Sequence, residues 1–226
     1  MESKEKNTKE KILEEALKLF AQSGYMGTSM NDIASKLGVT KAALYKHYKS
    51  KQEILDSIIE KMKELDIERA KQYEMPEGDL EKVTAEYKEM AFDKIKQFTK
   101  VQFLHWTEEE FSSCFRKMLT LEQYREPQMA QLYQNYLASG PLTYMEALFS
   151  GMLGDAGKAR QTALDFYGPI FLLYSIYDGA EDKSHVIKAT GRAYGSFLTG
   201  NADELKDKAI RQDCQIRIKR VYRLLQ

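Results

Sequence analysis

Apolar residues recur three and four apart along nearly the whole chain and almost nowhere alternate with polar ones, which predicts an all-α protein. Four prolines, at 76, 127, 141 and 169, leave long uninterrupted segments for its helices. Leu13, Ala16, Leu17 and Phe20 mark one face of a first helix. It is expected to start at Asn7 or Thr8 as N-cap and to stop where Gly24 and Gly27 interrupt it. In "TSMNDIASKLG" Ser29 and Asp32 stand at capping-box spacing, and Ile33, Ala34 and Leu37 form an apolar stripe closed by Gly38. The run from Thr40 to Tyr48 puts Leu44 and Tyr48 four apart on a core face, with Lys41, Ala42 and Tyr45 on the other. Ser50, three residues before Glu53, then caps a longer helix that runs to about Tyr73. Residues 29 to 48 thus read as helix, tight Gly turn, helix, in which the first helix braces a second that lies in a DNA major groove.

The pattern changes after "YEMPEGD" at 73 to 79, where Pro, Gly and acids mark a boundary. Helices lengthen, and residues 92 to 152 hold eleven aromatics and four Met, which favours a cavity or a bulky core over a thin bundle. The segment "ARQTALDFYGPIFLLYSIYDG" (159 to 179) is apolar around most of its circumference and predicts burial on more than one side. In the following "SHVIKATGRAYGSFLTG", Gly191 and Gly195 lie one turn apart and would let another helix approach closely. From Lys206 to Gln226 seven Lys or Arg accompany Ile210, Cys214, Ile218, Val221 and Leu225 at helical spacing, an amphipathic basic helix without an assigned role.

Composition narrows the class. The chain has 226 residues, 43% hydrophobic and 30% charged, as in soluble globular proteins. Its longest strongly apolar stretch, "PIFLLYSIY", is too short to cross a bilayer, and the start alternates charge with apolar residues, so a cytoplasmic protein without membrane association is expected. Two lone cysteines, Cys114 and Cys214, and three scattered histidines offer no metal pattern, and no cofactor is expected. Walker A, GxGxxG, GxSxG and HExxH motifs are absent from the sequence, which argues against an enzyme. The formal net charge is zero, yet five lysines fall between Lys36 and Lys51. Phosphate affinity follows such local patches and not the sum.

The stretch "GYMGTSMNDIASKLGVTKAALYKHYKSKQEIL" (24 to 55) resembles the TetR family of bacterial transcription repressors. The match runs through Asp32-Ile33-Ala34, Gly38-Val39, Leu44-Tyr45, His47-Tyr48 and Lys51, in order as well as in composition. The resemblance implies an N-terminal three-helix helix-turn-helix domain (1 to 50), a linking helix (51 to 73), and a larger helical ligand-binding and dimerisation domain (74 to 226). It further implies a homodimer whose two recognition helices read double-stranded DNA at a palindromic operator. A small-molecule effector in the larger domain would change their separation. The alternative is a helix-turn-helix adaptor controlled by a protein partner, and a helical enzyme ranks last.

Residue chemistry assigns roles beside that resemblance. Ala42 and Ala43 give clearance for the backbone to approach base edges and can touch a thymine methyl, while Lys41 can donate to guanine. Tyr45 and His47 suit phosphates flanking the groove, as do Thr28, Ser29, Thr40 and Lys51 near helix starts, and Asn31 adds a contact from the bracing helix. Candidates to line an apolar effector cavity are Phe103, Trp106, Phe111, Phe115, Met118, Tyr133, Tyr136 and Phe149. His105 and Cys114 are candidate polar or reactive groups there. For self-association the candidates are Phe166, Ile170, Leu173, Tyr174, Tyr177, Gly191, Tyr194, Gly195 and Leu198.

Overall fold

The computed structural model describes residues 2–90 and 92–190. Among them every regular element is a helix, as the three-and-four spacing predicts. The N-terminal helices are α1 (Glu2–Ser23), α2 (Met30–Lys36), α3 (Lys41–Tyr45) and α4 (Lys51–Gln72). They are followed by α5 (Leu80–Glu89), α6 (Phe92–Thr107), α7 (Glu110–Glu122), α8 (Pro127–Leu137), α9 (Ser139–Leu153) and α10 (Ala156–Gly179). Residues 183–190 are helical again. Helix α1 begins ahead of the expected caps, so Asn7 and Thr8 lie inside it.

By packing, the chain forms two compact units, and they cut across the expected division. The first break, between Met75 and Pro76, falls within the stretch read as a boundary. The chain then returns: residues 108–137, with α7 and α8, pack with α1 to α4. Helix α7 lies along α1 because its face of Phe115, Met118 and Leu119 has no exposed surface. Leu17 and Phe20 of α1, Ile33 of α2, Leu44 of α3, and Ile54, Leu55, Ile58 and Met62 of α4 complete that core. Burial of each such side chain stabilises by about 1.5–3 kcal/mol.

The second unit holds α5, α6, α9 and α10. Phe103 of α6 stacks on Tyr174 at 5.5 Å and meets Tyr177 edge-on at 5.8 Å, and Phe149 of α9 meets Phe166 edge-on at 5.9 Å. Helices α5 and α9 approach closely at Gly151, where a methyl group would press on Thr84.

Helix α10 separates its apolar residues by face. Phe166, Ile170, Leu173, Tyr174 and Tyr177, expected on a self-association surface, point inward and are buried within this single chain. The apolar residues left facing out are Leu164, Phe171 and Leu172, at 43%, 41% and 51% exposure. A segment apolar all round has two apolar faces, and the expectation chose the inward one. Gly191, Tyr194, Gly195 and Leu198, together with the basic segment 206–226, lie outside the described residues.

Candidate nucleic-acid interface

Local chemistry fixes each joint of the N-terminal motif. Gly24, at φ +81°, takes the left-handed conformation that ends α1. The turn after it is closed by the Thr28 hydroxyl, which donates to the Gly24 carbonyl at 2.8 Å. Ser29 then caps α2 with a complete capping box. Its hydroxyl accepts from the Asp32 amide, and the Asp32 carboxylate accepts from the Ser29 amide at 2.8 Å and hydroxyl at 2.6 Å. Those bonds hold the Asp32 carboxyl below its ordinary range, so this exposed acid stays charged with its oxygens turned to the helix start.

Gly38, at φ +67°, makes the turn between α2 and α3, and the Val39 amide donates back to Ala34 at 3.0 Å. The Thr40 hydroxyl accepts from the Ala43 amide at 3.1 Å and starts α3. Leu44 and Tyr48 anchor α3 inward, at 1% and 4% exposure, as their spacing requires. Ser50 caps α4 by accepting from Glu53, whose carboxylate in turn accepts from the Lys49 amide at 2.6 Å rather than from Ser50.

The outer surface of the motif follows from these anchors. Asn31, Thr40, Lys41, Ala42 and Tyr45 are exposed, Ala43 and His47 are half-buried, and Ser29 is exposed with its hydroxyl engaged at the cap. The Lys41 ammonium lies 5.8 Å from the centre of the Tyr45 ring, within reach of the ring's negative face. Lys36, Lys46 and Lys49 are exposed beside them and were missed from sequence. Their signal was positional: each lies off the stripes that Ile33, Leu44 and Tyr48 define.

Two expected contacts are corrected. Thr28 is 3% exposed, and its hydroxyl is committed to Gly24, so its side chain presents nothing to a phosphate. Lys51 turns its ammonium inward, donating to the carbonyls of Tyr25 at 2.6 Å and Thr28 at 2.8 Å, over the Tyr25 ring at 4.2 Å. Burial pushes its pKa down from the ordinary value. A lysine held on two carbonyls organises a turn; it does not reach outward.

The apolar candidates for an effector cavity divide between the units. Phe111, Phe115, Met118, Tyr133 and Tyr136 belong to the first, and Phe103, Trp106 and Phe149 to the second. Phe115 meets Tyr136 edge-on at 5.1 Å. His105 is fully buried against Trp106. Burial pushes the half-buried Cys114 thiol up, away from a reactive thiolate. No group of three His, Cys, Asp or Glu among the described residues can hold a metal ion, and no helix among them is long and apolar enough to cross a membrane.

A capped bracing helix, a left-handed glycine turn and a short second helix with Lys41 on its outer face and Lys46 at its end define a helix-turn-helix protein. Residues 12–58 match the family of bacterial regulatory proteins, tetR family. The biofilm operon icaADBC HTH-type negative transcriptional regulator IcaR of Staphylococcus epidermidis is 42% identical over 52 residues, which are 23% of this chain and 28% of that relative. Its Staphylococcus aureus counterpart is 41% identical over 51 residues, 23% of this chain and 27% of that relative. The match thus spans little more than a quarter of those relatives' length. Two solved structures share the fold over most of the chain. A putative fatty acid metabolism regulator of Clostridium perfringens covers 84% of this chain and 97% of its own, at TM-score 0.55 and 23% identity. A TetR-family transcriptional regulator of Bordetella parapertussis covers 85% and 94%, at TM-score 0.57 and 22% identity. Residues 12–58 are thus similar to the DNA-binding domain of TetR-family regulators, and over the rest of the chain the similarity is one of fold.

Proposed function

We propose that this protein is a sequence-specific, DNA-binding transcriptional repressor that works as a homodimer on a palindromic operator. The observation that carries this reading is the outer face of α3: Lys41, Ala42 and Tyr45 stand exposed on a five-residue helix whose other face is pinned by Leu44, with Lys46 exposed at its C-cap. A helix this short, held at both ends by Gly38 and Ser50, presents its side chains from a fixed base. Lys41 donates to guanine edges, Ala42 meets a thymine methyl, and Tyr45 and Lys46 approach phosphates.

The outward apolar face of α10, with Leu164, Phe171 and Leu172, supports self-association. A homodimer would bring two recognition helices to half-sites of a palindrome about 34–36 Å apart, one turn of DNA. A small apolar or aromatic effector bound among the C-terminal helices would alter that spacing and release the operator.

The test is binding of the purified protein to DNA from upstream of its own reading frame, followed by fluorescence anisotropy across a salt series. Nanomolar binding that exceeds binding to scrambled DNA by about a thousandfold supports the reading. Equal affinity for both sequences at every salt concentration overturns it. Adding a panel of apolar and aromatic compounds then tests the effector, with loss of operator affinity as the expected response.

A further inference from the structure

The last residue of α7, Glu122, has no exposed side-chain surface, which is unusual for a carboxylate. Its Oε1 lies 3.4 Å from Nη1 of Arg125, whose own side chain is 57% exposed. Its Oε2 is buried without a hydrogen-bond partner. The carboxylate is seated on the backbone of Gly24, where a methyl group would overlap Oε1. Gly24 is therefore demanded twice, once by its positive φ and once by this contact. The Glu122 charge also favours the ammonium form of Lys51, against the burial that disfavours it. Lys51 in turn holds the carbonyls of Tyr25 and Thr28.

Burying a carboxylate with one oxygen unpartnered is costly, so this arrangement is a poor way to stabilise a fold. It is an effective way to fix a position, because the turn 24–28 sets where α2 begins and Lys51 opens α4. We propose that Glu122 is a positioning residue, through which α7 holds the turn before the helix-turn-helix in the geometry that binds DNA. The inference rests on the function proposed above and adds the point at which a helix outside the motif grips it. Movement of α7 by a fraction of an ångström would shift the carboxylate against Gly24, and the turn would follow.

Glu122→Gln and Glu122→Met in the full-length protein provide the test. Glutamine keeps the shape and removes the charge; methionine removes the unpartnered polar oxygen and keeps the length. Operator affinity is expected to fall about tenfold in both, with amide hydrogen exchange at Gly24 and Thr28 faster without DNA present. The melting temperature of Glu122→Met is expected to hold or rise, a split that a merely structural residue would not produce. Wild-type operator affinity in a folded Glu122→Met protein overturns the inference, as does a fall in affinity that only tracks a fall in melting temperature. Failure of the wild-type protein to discriminate its upstream DNA overturns instead the function proposed above, whereas the exchange rates at Gly24 and Thr28 judge the grip of Glu122 without DNA.

Discussion

Helices α3 and α10 obey the same inward rule and differ in what they leave outside. Leu44 is the single buried anchor along the five residues of α3, and its outer face carries Lys41, Ala42 and Tyr45. Helix α10 buries seven residues along 24 and still leaves Leu164, Phe171 and Leu172 exposed. One outer face carries a cation and small side chains, the face proposed to meet DNA; the other is apolar, the face proposed for self-association. The outer face, read only after the inner one is assigned, is what distinguishes them.

The contrast within α10 is the easiest to break. Phe166→Ala, on the inward face, is expected to lower stability by about 3–5 kcal/mol, read as a fall in melting temperature. Phe171→Glu, on the outward face, is expected to leave the fold and cost about 2 kcal/mol or more in self-association, read by sedimentation as a shift from dimer to monomer. If Phe171→Glu melts the protein and leaves it dimeric, the assignment of faces is reversed. On α3, Lys41→Ala is expected to weaken cognate DNA by about 1–3 kcal/mol and non-cognate DNA by less. Equal losses on both would make Lys41 a phosphate contact.

Most of the motif was legible because its signals are local. Ser29 with Asp32, Gly38 at its turn and Leu44 with Tyr48 all interact within four residues, so spacing alone exposes them. What escaped the sequence was long-range. Lys51 reaches carbonyls 23 and 26 residues earlier, and Glu122 seats on Gly24 nearly a hundred residues away. No spacing pattern encodes such partners. The aromatic excess between 92 and 152 was visible as composition, but composition does not say that Phe103 packs in one unit and Phe115 in the other. Helix α10 was legible as apolar all round and ambiguous for that very reason.

The smallest predicted effect separates two lysines that look alike in sequence. Lys46 is exposed at the end of α3, so Lys46→Ala should leave one phosphate per subunit without its cation and flatten the slope of log affinity against log salt by about one for each such phosphate. Lys51 gives its ammonium to the Tyr25 and Thr28 carbonyls and neutralises no phosphate, so Lys51→Met should leave that slope unchanged. Affinity is expected to fall in both variants, since a loosened turn also weakens binding; the slope tells them apart. A slope that flattens for Lys51→Met as it does for Lys46→Ala would mean that the Lys51 ammonium leaves its carbonyls for a phosphate when DNA arrives.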